Sequence, residues 1–452
     1  MKVLSIMLAL LIGGGISIFV PTYGASAVLL CAVLAMLAGI VIYQQGEHRE
    51  FLLLIFINGL LIRMLLGTLT FAYNLQNFFA SDAALYDTAG YTLLRVWLGE
   101  LSPRYASFFL SDSNPYRGML YMVAVTYGIV GRNVLALQFI NAIIGAATAV
   151  VIFLCAHQIF QNLRVARIAA LIVAFFPSLI LWSSQALKDA PIIFLLSISM
   201  LATLKLGEKW SVKYFVVLVA GLLGVLSLRF YIFYMVVVAI GGSFIVGTRT
   251  LTAQSFLRQF IVIVGVGLAM TYLGVLRTGS SQLETLGNLE TVQRHRSALS
   301  STAQSGFGAD VDVSTTSGAI RAVPIGLIYL LFAPFPWQLA NLRQSITLPE
   351  MLVWWSVFPL LVLGLWFTIK YRLRQALPIL IFTSMLTLAY AVYQGNVGTA
   401  YRQRAQLLVF YFIFVAVGIV LLRERMEDRK RTAGLSPVRR TPAARRSAHN
   451  ES

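Results

Sequence analysis

The chain has 452 residues, of which 58% are hydrophobic and only 12% charged, with a mean hydropathy of +0.80 and a formal net charge of +18. Soluble globular domains carry about a quarter charged residues. The composition therefore excludes a soluble enzyme, a disordered chain and a secreted disulfide scaffold, and predicts an all-α polytopic membrane protein. The apolar runs do not alternate, as the strands of a β-barrel would. Cys31 and Cys155 both lie inside apolar runs, and His48, His157, His295 and His449 are scattered, so neither a disulfide framework nor a metal cluster is expected.

In chain order, twelve runs are long and apolar enough to span a bilayer: 4–22, 26–44, 51–72, 134–158, 167–184, 190–206, 213–228, 231–247, 259–276, 350–370, 376–393 and 407–423. The first two form an N-terminal helical hairpin within 1–50. The first 25 residues also fit a cleaved signal peptide, ending at Gly24-Ala25-Ser26-Ala27, but the closely following second run favours the hairpin. Residues 51–423 are expected to form the main transmembrane domain, with two large extracytoplasmic loops at 73–133 and 277–349. Each loop contains a further apolar stretch, 116–131 and 320–337, that is expected to be juxtamembrane or re-entrant. The second of these holds Arg321, Pro324, Pro334 and Pro336, and prolines interrupt helices. Residues 424–452, rich in Arg, Pro, Ala and Ser, are expected to be a disordered basic tail on the anionic inner leaflet.

Charge sets the orientation. With both termini cytoplasmic, the inner loops hold 12 basic against three acidic residues, and the segment from Arg423 to the end holds nine against four. Most of the positive charge is thus topological, and nucleic acid is not an expected partner. Inner loops are short, so the work of the protein is expected on the outer face of the plasma membrane. No inverted repeat of the transporter kind is visible.

Asp82 and Tyr86 stand four apart just beyond the 51–72 run and would share a helix face, whereas Asp87 lies on another. Asp82 is either a general base at the lipid surface or, read structurally, a helix N-cap or solvated acid. Lys188 and Asp189 are adjacent in a short outer turn, as a surface pair or as a phosphate contact and a second carboxylate supporting Asp82. Arg229 sits in a tight outer turn between two runs. Arg402 and Arg404 lie outside against the inward bias of basic residues, as phosphate ligands or as side chains reaching lipid headgroups. Arg63, halfway along its run, is expected to have a structural partner. Asp310-Val-Asp312 could hold a divalent cation but lies in a Gly/Ser/Thr-rich stretch with the look of a mobile loop. Trp337, after Pro336, is either a membrane anchor or a wall for a lipid or sugar.

Several of these stretches together resemble the GT-C membrane glycosyltransferases of the protein-mannosyltransferase type. They are Leu60-Leu61-Ile62-Arg63-Met64-Leu65, then Asp82…Tyr86…Ala89, Tyr121 to Asn133, Arg167 to Ser178, Trp182 to Asp189, and Asn396 to Arg404. The similarity covers about 51–230 and, less closely, 390–423. It implies transfer of a sugar from a polyprenyl-phosphate donor on the outer face, with no metal or other cofactor. By the same resemblance Asp82 is the catalytic aspartate; beside it Asp189 is expected to be catalytic, and Tyr86, Asp87, Lys188, Arg229, Arg402 and Arg404 are expected to bind substrate. The partners are then the lipid-linked donor, membrane lipids and an acceptor that is protein, lipid or glycan. A cell-envelope polysaccharide polymerase or ligase using polyprenyl-pyrophosphate glycans is the alternative, and a transporter without covalent chemistry is the second.

Overall fold

A computed structural model describes residues 2–110, 117–246, 264, 288–302, 305–308 and 311–434. The described residues are almost all helical. Helices α1 (Lys2–Phe19) and α2 (Gly24–Tyr43) form an antiparallel pair, and α3 (Arg49–Ala72) follows. The first outer segment carries four helices: α4 (Gln76–Phe79), α5 (Asp82–Trp97), α6 (Arg104–Leu110) and α7 (Arg117–Val130). Then come α8 (Val134–Phe160), α9 (Leu163–Phe175), α10 (Pro177–Ser183), α11 (Asp189–Glu208), α12 (Val212–Leu228) and α13 (Phe230–Val246). The C-terminal part holds α14 (Leu289–Thr302), α15 (Thr316–Phe332), α16 (Leu342–Tyr371), α17 (Leu373–Tyr393) and α18 (Val397–Gly434).

Seven described helices are long and apolar enough to cross a membrane, or eight if the bent pair α9–α10 is one span. The expected count of about twelve is larger for two reasons. The apolar part of α1 is only Leu4–Phe19, the runs 213–228 and 231–247 fall on helices of 17 residues, and 259–276 lies outside the described residues apart from 264. The two ambiguous stretches fold as α7 and α15, both also short, and α15 continues through Pro324 without breaking. The tail boundary at 423/424 is not where the last helix stops: α18 runs on to Gly434, and 435–452 are outside the described residues.

Local signals in the sequence start the helices. Asn133 accepts a hydrogen bond from the Ala136 amide to begin α8, and Asn162 does the same for Arg164 and Val165 in α9. Asn341 caps α16 through the Gln344 amide. Helix α8 is buried on nearly all sides and packs against α2, α3, α9 and α11, so it is the central post of the N-terminal half. Helix α18 is its counterpart in the C-terminal half, packed against α16 and α9. The α16–α18 crossing is close because glycines face the opposite backbone. A Cβ on Gly364 would meet the Phe414 carbonyl, and one on Gly418 the Leu360 carbonyl.

Between α9 and α10 the chain bends by 56° at Phe176-Pro177, where proline has no N–H to continue the helix. The break frees carbonyls at the end of α9. Arg63, fully buried in α3, answers it: Nη1 donates to the Ala174 and Gly59 carbonyls, both at 2.8 Å, and Nε to Ser183 Oγ at 2.7 Å. Its partners are structural, as its mid-run position implied. Replacing Arg63 by Met removes these charge-assisted bonds and leaves the Ala174 carbonyl buried without its donor. Thermal unfolding in detergent is expected to show a loss of about 3 kcal/mol, and an unchanged midpoint would contradict the role.

Candidate functional site

The site is assembled from the first residue of α5, the first residue of α11, the α12–α13 turn and the second turn of α18. Arg402 is its hub. Its Nε and Nη2 both donate to Asp189 Oδ2, at 2.8 and 2.6 Å, and its Nη1 donates to Asp82 Oδ2 at 2.7 Å. Asp189 is sealed, with its side chain 1% exposed, whereas the Asp82 side chain is 46% exposed. Both carboxylates sit at helix N-termini, where the backbone favours negative charge. Arg229 approaches the other Asp189 oxygen, with Nη2 to Oδ1 at 3.5 Å, and its Nη1 contacts the Tyr231 and Tyr390 hydroxyls at 3.2 and 3.4 Å. Tyr390 in turn donates to Gln406 at 2.8 Å, one turn beyond Arg402 on the same face of α18.

The short turn carrying Lys188 and Asp189 is held by the helix behind it. The Asn141 amide in α8 donates to the carbonyls of Gln185 and Leu187, at 2.6 and 2.7 Å, and Gln185 reaches Thr70 Oγ1 at 3.2 Å. The Trp182 ring lies 5.9 Å from the Arg402 guanidinium and edge-on to Tyr401. A cavity of about 20 Å³ between Arg63, Ser183, Trp182 and Ala190 has room for a water and not for a sugar. Of the two carboxylates in the cluster, Asp82 is the one exposed to solvent.

Electrostatics follow from this enclosure. Burial pulls Lys188 down to about 7, helped by the neighbouring Arg229 charge and resisted by Asp189. Burial also works against the charge on Arg229, but Tyr231, Tyr390 and Asp189 outweigh it and hold that guanidinium above its ordinary range. The Tyr86 phenol is pushed up by burial and then by Asp82 and Asp189, so it stays protonated beside the two carboxylates. With Lys188 charged the cluster carries three cations against two carboxylates.

Of the residues expected at a site, Asp82, Tyr86, Lys188, Asp189, Arg229 and Arg402 come together. Asp87 and Arg404 do not. Asp87 points to the other side of α5, where it accepts from Tyr127 at 2.6 Å and pairs with Arg132 at 2.6 Å, bracing α5 against α7. Arg404 is buried with its Nη1 on the Leu331 and Ala333 carbonyls, each at 3.1 Å. The reason is geometric: two residues apart on a helix, Arg402 and Arg404 point about 200° from each other. The Asp189 side chain is 1% exposed and accepts hydrogen bonds from Arg402 and Arg229. Among the described residues no group of three His, Cys, Asp or Glu could hold a metal. Asp310 is outside the described residues, and Asp312 Oδ1 accepts from the Ser314 amide at 2.8 Å.

Three contributors were not anticipated: Tyr390 and Tyr231, which hold Arg229, and Gln406. Gln406 could have been found from its spacing, four residues after Arg402. The tyrosines carry no such signal, since a hydroxyl inside an apolar run is common.

Residues 117–274, 158 of the 452, match the dolichyl-phosphate-mannose-protein mannosyltransferase family. That stretch contains Lys188, Asp189 and Arg229 but neither Asp82 nor Arg402. The fold is similar to the crystal structure of the apo form of the Archaeoglobus fulgidus oligosaccharyltransferase, at a TM-score of 0.48 and 11% identity. The similarity covers 88% of this chain and 53% of that one, so the chain spans about half the length of that protein. No curated protein matches the chain. The family match agrees with the resemblance drawn from the sequence over 117–230 and extends it to 274.

Asp189 is the member of the cluster whose loss is expected to be felt as stability. Asp189→Leu leaves two buried guanidiniums facing each other, and urea or thermal unfolding is expected to show a loss of about 3–5 kcal/mol. A variant as stable as the parent would show that the arginines are held by something else.

Proposed function

We propose that the protein transfers a sugar from a polyprenyl-phosphate donor to an acceptor hydroxyl on the extracytoplasmic side of the membrane. Asp82 is the general base, and Arg402, Arg229 and Lys188 receive the lipid phosphate. The observation that carries this reading is the 2.7 Å contact between Asp82 and Arg402, 320 residues apart, with the carboxylate open to solvent and the guanidinium fixed from behind by Asp189. The side assignment rests on the inward bias of basic residues, which puts α5, the Lys188 turn and the start of α18 outside and both termini inside.

The chemistry balances on these groups. An acceptor oxygen attacks the anomeric carbon as the bond from that carbon to the phosphate oxygen breaks. The polyprenyl phosphate leaves with one more negative charge, and fixed cations already in place stabilise that charge as it develops. Asp82 takes the acceptor proton. In the free protein the same carboxylate is engaged by Arg402, which lowers its availability as a base. A phosphate oxygen that takes over Arg402 Nη1 releases Asp82, so donor binding prepares the base for the acceptor. Asp189 remains between the arginines throughout and positions them.

Two experiments test the reading. In proteoliposomes supplied with a polyprenyl-phosphate sugar, Asp82→Asn is expected to lower kcat by about 10²–10⁴ with little effect on folding, because the side chain is half exposed. Parental turnover by the Asn variant would remove Asp82 from catalysis. The second uses Lys188. Its charge is present below about 7 and is lost as pH rises through that value, so the donor KM is expected to climb over the same interval. Lys188→Arg, which stays charged, is expected to flatten that climb. A donor KM with the same pH dependence in both proteins would take Lys188 out of the phosphate site.

A further inference from the structure

Arg404 and Glu350 are buried ionisable groups that the proposed chemistry does not touch, and they lie directly behind Arg402. We infer that they are positioning residues: together with Tyr401 they fix the rotation of α18 so that Arg402 faces Asp82 and Asp189. This inference rests on the reading of Arg402 as the donor-phosphate ligand.

The geometry is a three-helix junction. Helix α15 ends at Phe332, and its last carbonyls have no helical partners. They are taken by side chains of two other helices. Trp354 Nε1 of α16 donates to Leu331 at 2.6 Å, Trp355 Nε1 to Phe332 at 3.1 Å, and Arg404 Nη1 of α18 to Leu331 and Ala333. One turn before Trp354, Glu350 accepts the Tyr401 hydroxyl at 2.9 Å. The Arg404 guanidinium also lies 5.0 Å from the Tyr401 ring centre. Residues 401 and 404 share one face of α18 and 402 and 406 another. The first face is bolted to α15 and α16. The second carries the guanidinium that meets the two aspartates and the glutamine that meets Tyr390.

Two ionisable groups in a mostly apolar junction are costly to desolvate, and apolar packing alone would hold three helices together. What apolar packing would not supply is a defined angle about the α18 axis, because hydrophobic contact is not directional. Hydrogen bonds to two fixed carbonyls and one fixed carboxylate are directional. Trp182, wedged against both Tyr401 and Arg402, transmits the setting within one residue.

The test is the paired variant Glu350→Leu/Tyr401→Phe, which removes both partners of the 2.9 Å bond. Removing both sides is far less disruptive to folding than removing one. The first readout does not need activity: the rate at which Asp82 is labelled by a water-soluble carbodiimide and an amine, read by mass spectrometry on the membrane-embedded protein. Loosening Arg402 is expected to speed labelling of Asp82 severalfold. The second readout is kinetic: the donor KM is expected to rise about tenfold, with kcat changed much less, because binding geometry and not the base is disturbed. Arg404→Lys, which keeps a charge but not the fork, is expected to show the same pattern more weakly. Asp82 labelling at the parental rate in the folded paired variant overturns the inference whatever the activity. Absence of transfer from polyprenyl-phosphate sugars by the parent protein would overturn the functional reading alone, and labelling would still decide the positioning role.

Discussion

The Asp189 carboxylate is enclosed by protein and stays charged because two guanidiniums face its two oxygens. An isolated carboxylate in such a place would be penalised by several kcal/mol, so the pairing dictates where α11, the α12–α13 turn and α18 begin. Arg402 reaches Asp189 with two of its donors and has one direction left, toward Asp82. The open carboxylate at the rim is thus placed by a closed one behind it. The tyrosines around Arg229, the amide of Asn141 under the Lys188 turn and the Glu350–Tyr401–Arg404 junction all serve to keep this small charged unit in register within an apolar protein.

Much of this unit was legible in the sequence because charge is rare in the chain. An acid or an arginine at the end of an apolar run stands out, and Asp82, Lys188, Asp189, Arg229 and Arg402 all do. What was not legible was direction. Asn396 to Arg404 looks like a loop, since it is polar, follows Gly395 and holds Gly398, and in a loop both arginines could face the same ligand. The segment is instead the first two turns of α18, and helical rotation sends Arg404 to the far side. Asp87 shows the converse. Its different face from Asp82 followed from spacing, but its use by Arg132 and Tyr127 depended on how α7 folds back on α5, which spacing does not contain.

The membrane part shows a similar division. Long apolar runs reported the long helices well, and Arg63 in mid-run announced a structural partner. Hydropathy could not report that the run 167–184 is bent by 56° at Pro177. Hydropathy averages over a window, and a bend depends on single residues: one proline, and one arginine on another helix that donates to the freed carbonyl. The same limit applies to Glu350, which sits at the edge of an apolar run and looks like the last solvated acid before a span. Its burial comes from Tyr401, half a hundred residues later.

The account turns on whether a lipid phosphate takes the place of Asp82 on Arg402. The most direct measurement is a cryo-electron microscopy structure of the protein in nanodiscs with a polyprenyl monophosphate bound. The phosphate is expected to lie against Arg402 and Arg229, with Lys188 beside it and the Asp82 carboxylate turned free of Arg402 toward solvent. A phosphate bound elsewhere, with the Asp82–Arg402 pair intact beneath it, would contradict the proposed chemistry.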